Sequence, residues 1–281
     1  MDWPAARERI LREAIFAPLR PAIARLPADA WPDHAALTGA AEGVTTARGK
    51  PVRFVKPIEN ATDRERLHYE TRIAETGDVG TRAGNWHDLF NALAWLAYPK
   101  SKAAINAQHA AILAEGGEAE ARRRSPERDA LTLFDESGVI VASTSPEFLR
   151  LIVDFEWKEL FWRRREDLAA KVRFLAFGHA LFEKALDPHL GIVAKTVFVP
   201  VSDFFLMLPE ASQVDEADQF VARHFANRVR FHSPKAMAPM PVLGVPGWHT
   251  DTARESFYDD PDHFRGKPGS DPIFQKAKNG V

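Results

Sequence analysis

The chain has 281 residues, 45% hydrophobic and 10% aromatic, enough apolar material for a substantial core. Lysine and arginine number 37 against 39 acidic residues, a net charge of −2, which argues against a dedicated nucleic-acid binder with its strongly basic footprint. Cysteine is absent, so disulfides, thiolate metal sites and cysteine nucleophiles drop out, and any metal must be held by His, Asp, Glu or Asn.

In chain order, residues 4–26 predict a charged amphipathic helix broken by Pro18 and Pro21. The start, "MDWPAARERILREAIF", lacks the basic head and apolar core of a secretory leader. No uncharged apolar run is long enough to cross a bilayer, so a cytoplasmic protein is expected. "WPDHAALTGAAEG" predicts a short helix capped near Asp33, "VRFVKP" a strand, and "ATDRERLHYETRIAETG" a further helix. "GNWHDLFNALAWLAYPKSKAAINAQHA" predicts two helices, 86–97 and 101–114, parted at Pro99, with "GGEAEARRRSPE" a polar loop after them.

"RDALTLFDESGVIVAS" has two β-favouring runs around a turn, which predicts a hairpin over 130–141 with positive φ at Gly138. "SPEFLRLIVDFEWKELFWRRREDLAAK" predicts a helix opened by Ser145-Pro146. The unbroken apolar run "VRFLAF" predicts a strand covered on both faces. "GHALFEKALDP" follows as helix, "AKTVFVPV" as strand and "VDEADQFVARHFANRV" as helix, before turn-rich segments from Pro234 on. The sum is α+β, predominantly helical, with a small mixed sheet and a β-hairpin. One domain over 1–265 is expected, with segment 1–45 packed on it and 266–281 a frayed tail. No Gly-rich phosphate loop is present, so nucleotide binding by that route is unsupported.

At about 100° per residue, Trp86, Phe90, Leu93 and Ala97 form a core stripe, and His87, Asn91 and Tyr98 a second one. Asn85 followed by Asp88 has the look of a helix cap with a carboxylate near the positive helix end. Lys102, Asn106 and His109 share a face of the next helix. His179 and Glu183, four residues apart just past a strand, can jointly hold a metal or a proton. Each group has a structural alternative: a cap, a hydrogen bond to a neighbouring loop, or a surface pair. The same choice faces Asp259, Asp260, Asp262 and His263, as cation ligands or turn-formers, and the arginine runs 122–124 and 163–165, as phosphate contacts or solvated surface.

The blocks "NWHDLFNAL", "PKSKAAINAQH", "RDALTLFDESG", "FGHALFE", "LGVPGW" and "FYDDPDHFR", in that order over residues 50–265, resemble a bacterial family catalogued as domain of unknown function 3025. That resemblance implies no activity, cofactor or catalytic residue. "HDLFNALAWLAYPKSKAAINAQHA" is loosely similar to His-Asn-His endonucleases, in which a histidine activates water and a divalent metal stabilises charge on phosphate. Here His87 falls inside a helix, and its spacing to His109 departs from that pattern.

The expectation is a hydrolase-type enzyme with a polar cleft formed by segments 85–109, 128–136 and 178–183. Its candidate catalytic residues are His87, Asn91, His109, His179 and Glu183, a set also suited to a divalent metal. If His87, Asn91, Asn106 and His109 line one cleft, the rings of His87 and His109 should lie within roughly 4–8 Å; rings on opposite sides of the helical pair would make these groups caps and core bonds. The opposing expectation is a non-catalytic binding or scaffold protein whose polar groups are scattered or paired with backbone. Substrate, partners and oligomeric state are not specified by the sequence.

Overall fold

The computed structural model describes residues 2–58 and 69–267. Helices α1 (Trp3–Arg12) and α2 (Arg20–Ile23) flank a 3₁₀ turn, Ala14–Leu19, that contains Pro18, so the proline interrupts the helix as expected. Helix α3 (His34–Ala40) begins where the Asp33 carboxylate accepts the Ala36 N–H at 2.7 Å. Strand β1 (Arg53–Val55), helix α4 (Tyr69–Thr76) and strand β2 (Asp78–Gly80) come next, and β1 pairs with β2 in parallel. The part of the expected helix over 61–68, and the tail from 268 on, lie outside the described residues.

Helices α5 (Trp86–Ala97) and α6 (Pro99–Arg122) are separated only by Tyr98. The predicted polar loop after them is mostly helix, because Glu, Ala and Arg are strong helix formers and the chain needs only a kink at Gly117. The predicted hairpin is also absent. In its place stand helix α7 (Pro126–Ser137) and, directly after it, strand β3 (Gly138–Ser143). The helix wins because Ser125 caps it, Pro126 occupies its first position, Glu127 and Asp129 sit in its first turn, and Ala130, Leu131 and Phe134 make one buried face. Gly138 has φ −76°, not the positive value expected. Space is what demands glycine there: an added Cβ would lie 2.4 Å from the Phe134 carbonyl oxygen.

Helix α8 (Pro146–Val153) starts at the Ser145 cap, but the predicted long helix does not continue. Phe155 takes a left-handed φ of 63°, and the chain resumes as a π turn, Glu159–Arg163, and helix α9 (Arg165–Lys171). That break turns Trp157, Leu160 and Phe161 into the core. The remaining elements are β4 (Val172–Ala176), α10 (His179–Ala185), β5 (Val193–Pro200), α11 (Asp203–Met207), α12 (Glu210–Phe225) and β6 (Pro239–Pro241).

The protein is α+β and predominantly helical, with a mixed sheet in the order β4-β3-β5-β6. Strand β3 runs antiparallel to β4 and parallel to β5, and β5 runs antiparallel to β6. Every residue of β3 is buried: Val139 and Val141 face one core, Ile140 and Ala142 the other. The strand covered on both faces is therefore β3. The "VRFLAF" segment is a strand, but it lies on the sheet edge with Arg173 and Phe174 half-buried, which corrects the expectation of a strand covered on both faces. In the first core Phe16, Phe90 and Phe182 stack mutually at 6.0 Å. The Arg9 guanidinium donates to the carbonyls of Ala185 and Leu186. The N-terminal segment thus clamps α5 against α10, the two helices that carry His87 and His179.

Candidate functional site

Three local devices bring the polar groups together. At the start of α5, Asn85 Oδ1 accepts the Asp88 N–H at 3.0 Å, while the Asp88 carboxylate accepts from the Arg82 backbone at 2.7 Å and its guanidinium at 2.8 and 2.9 Å. Burial would raise the Asp88 carboxyl, but the Arg82 hydrogen bonds outweigh it and hold it below the ordinary range. At the start of α6 the cap comes from α12: Asp218 accepts the N–H groups of Lys100 and Ser101 at 3.0 and 2.7 Å. Between β4 and α10, Gly178 passes so close to α7 that an added Cβ would meet the Glu136 carbonyl oxygen at 2.4 Å. That approach sets His179 Nδ1 2.7 Å from the Asp135 carbonyl oxygen.

The result is a cleft of about 790 Å³ walled by α4, α5, α6, α7 and the first turn of α10. His87, Asn91, Asn106, His109 and His179 all line it. Glu183 stands behind His87, with Oε2 3.0 Å from His87 Nδ1. The opposite ring nitrogen, His87 Nε2, lies 3.1 Å from His179 Nε2, and the two ring centroids are 4.5 Å apart. Lys102 joins the second half of the network, donating to Asp135 Oδ1 at 2.6 Å and Asn91 Oδ1 at 2.8 Å. Asn91 in turn donates to the Tyr69 hydroxyl at 3.5 Å.

The Glu183 carboxylate and the Asp135 carbonyl are acceptors, so both Nδ1 atoms carry hydrogen. If both rings were neutral, two bare lone pairs would face each other across 3.1 Å. A third proton, shared between the Nε2 atoms, removes that conflict. Burial pushes His179 down to about 4, against the attraction of Asp135, while the Glu183 carboxylate lies 3.0 Å from His87 Nδ1. Burial alone would raise the Asp135 carboxyl, yet the Lys102 ammonium and His179 reverse the sign and keep it below the ordinary range. Tyr69 is raised, chiefly by burial with Glu70 and Asp135 adding to it, so its phenol stays protonated.

The structure thus brings His87, His179 and Glu183 into one hydrogen-bonded chain and ties Asn91 to it through Lys102 and Asp135. His109 lies apart on the same wall and makes no ring contact with either histidine among the described residues. The expected pairing of His87 with His109 is replaced by His87 with His179. Burial lowers His109, against Glu70 and Asp135, so its ring is neutral. The His-Asn-His order is accordingly not one constellation. Sequence reasoning missed Asp135, Tyr69, Glu70 and Arg72. Asp135 was hidden by the hairpin assignment, although its place one turn after Leu131 on a capped amphipathic helix was an available signal.

The second acidic cluster is structural. Asp260 Oδ1 accepts the N–H groups of Asp262 and His263, Asp259 pairs with Lys158, and His263 Nδ1 accepts from the Gly191 backbone at 2.9 Å. Among the described residues no three His, Asp or Glu side chains converge as metal ligands, and no helix is long and apolar enough to cross a membrane.

The chain belongs to the family described as protein of unknown function (DUF3025), which matches residues 52–268. No curated protein and no solved structure matches it.

Proposed function

We propose that this member of the DUF3025 family is a hydrolase-type enzyme in which His87 and His179 handle a single recycled proton. The observation that carries this reading is the pair of Nε2 atoms facing each other at 3.1 Å while both Nδ1 atoms are committed to oxygen acceptors. In the free enzyme the shared proton sits on His87 Nε2, stabilised by Glu183. Given to a leaving group, it departs as the bond to that group breaks, and both Nε2 lone pairs become free. A water molecule attacking the same centre then loses its proton to His87 Nε2, which restores the starting state. The net change is addition of one water across one bond. His179, fixed by Asp135 and Lys102, orients His87 and disfavours loss of the proton to solvent.

A divalent cation would also satisfy two facing lone pairs. Two imidazoles, however, supply only two protein ligands, where catalytic zinc sites use about three. The proton is therefore the preferred occupant.

The test is a panel of carboxylic esters, amides and phosphate esters assayed with the full-length protein and with His87→Gln. At least one class should be turned over by the wild type, should survive dialysis against a chelator, and should fall about 10²–10⁴-fold in the variant. Melting temperatures of the two proteins should agree closely, because His87 is half-exposed. Absence of turnover in every class would overturn the hydrolase reading in favour of a non-catalytic binding cleft.

A further inference from the structure

Unmade hydrogen bonds are concentrated on the wall of the cleft away from the histidine pair. Of eight buried side-chain polar atoms without a partner among the described residues, four belong to residues lining this one cleft: Arg72 Nε, Asn106 Oδ1, His109 Nδ1 and Arg128 Nε. Asn106, His109 and Arg128 are themselves 3%, 4% and 7% exposed. A buried polar atom left unsatisfied keeps its full desolvation penalty, so four on one wall mark a place that a ligand completes.

The charges decide what kind of ligand. Arg82 is neutralised by Asp88, Lys102 by Asp135, and Arg128 by Glu120 at 3.4 Å. Arg72 has no carboxylate partner among the described residues; its guanidinium lies 5.9 Å from the centroid of the Tyr69 ring and closes against Gly80, whose missing side chain leaves it room. Among the described residues that line the cleft, it is a cation without a carboxylate partner. Glu70 is engaged on the same wall, its carboxylate accepting Asn106 Nδ2 at 2.7 Å, which fixes Asn106 with its Oδ1 left over. The neutral His109 ring can present Nδ1 as a donor, because the imidazole tautomer is free to follow its partner.

From this arrangement we infer that Arg72, His109 and Arg128 form a subsite for an anionic oxygen group, a phosphate or a carboxylate, of a small substrate. Asn106 Oδ1 accepts from a hydroxyl or amine next to that group. The inference rests on the proposed catalytic use of the same cleft and names the substrate class: a small polar anion with a neighbouring donor, held by one end while the histidine pair faces the other. A guanidinium suits such a group because its planar fork of N–H donors matches two oxygens at once.

The experiment titrates inorganic phosphate and, separately, succinate into the full-length protein at constant ionic strength set with chloride. The imidazole resonances of His109 and His87 are followed by NMR. Saturable movement of His109 is expected with one of the two anions, and which one identifies the source of the charge. Arg72→Met and His109→Phe should each weaken that binding at least about tenfold, while His87→Gln should retain it, which separates this subsite from the proton-transfer reading. Thermal melts establish that each variant is folded. Arg72→Lys serves if Arg72→Met is not folded, and should also bind more weakly, since an ammonium cannot present the paired donors. The inference is overturned if neither anion binds saturably to the wild type, or if folded Arg72 and His109 variants bind as the wild type does.

Discussion

Two regions of this protein collect histidines and carboxylates, and they use them in opposite ways. In the C-terminal region, Asp259, Asp260, Asp262 and His263 crowd into five consecutive positions, where Asp260 serves a turn, Asp259 a surface ion pair and His263 a backbone N–H. In the cleft, His87, Asp135, His179 and Glu183 come from three helices, yet their nitrogens and oxygens form one continuous chain with two ring atoms facing each other. Density along the sequence therefore says little about convergence. A run of acidic residues around a proline satisfies itself through its own backbone, whereas residues about ninety positions apart meet only if packing brings them together. The stacked Phe16, Phe90 and Phe182 and the close passage at Gly178 do that here.

The sharpest way to break the comparison is to remove one lysine from each region. Lys102 is 4% exposed and neutralises Asp135, so Lys102→Met strands a buried carboxylate. A loss of about 3 kcal/mol is expected, visible as a lowered denaturation midpoint. Lys158 bridges Asp259 and Glu255 on the surface, and Lys158→Met should leave the midpoint unmoved. Similar losses for both variants would mean that the two regions do not differ as described.

Acidification gives the next largest effect. His179 is lowered by burial to about 4, below the ordinary histidine value near 6.5 that the unfolded chain retains. Between those two values the unfolded state binds a proton that the folded state refuses. Stability therefore falls as pH drops from about 6.5 to about 4, by roughly 3 kcal/mol from this group, and is flat with respect to it outside that window. His263 is shifted in the same direction, also by burial, and contributes with the same sign. Chemical denaturation at a series of pH values should show the slope, and His179→Gln should reduce it, the remainder belonging to His224, His109 and His263, which burial lowers as well. An unchanged slope in that variant would mean that burial of His179 is not the cause.

Much of the scaffold for this site was legible in the sequence. The caps at Asp33, Asn85 and Ser145, the two helices parted at Pro99, and strands β4 and β5 all follow from local chemistry. Spacing of i, i+4 showed which side chains share a helix face, but the meeting of His87, Asn91, His109 and His179 in one cleft is supplied by the packing. What failed was whatever depends on tertiary context. "RDALTLF" suits either a strand or a helix, and its burial against β3 and α12 decided for the helix. The partner of His87 was taken from the adjacent helix, since sequence offers no period linking residues 87 and 179. Asp135 and Lys102 were undervalued for the same reason: their importance lies in each other.

The smallest expected effect on stability separates the two regions most finely. Glu183→Gln and Asp259→Asn each remove one charge from a carboxylate that is 42% and 59% exposed, and solvent screens both pairs. Neither variant should move the melting temperature measurably, so thermodynamics cannot tell them apart. The histidine rings can. The Glu183 carboxylate lies 3.0 Å from His87 Nδ1, and in the proposed proton-handling pair the positive charge rests beside it. A glutamine there still offers a carbonyl to the Nδ1 hydrogen but no longer balances that charge, so His87 should hold its extra proton less strongly. In ¹⁵N spectra, Glu183→Gln should move the His87 and His179 ring resonances at constant pH, because loss of a neighbouring negative charge disfavours the proposed shared cation. Asp259→Asn should leave every one of those resonances in place. If Glu183→Gln also leaves them unmoved, no proton is shared at the Nε2 pair, and the cleft histidines are as structural as His263.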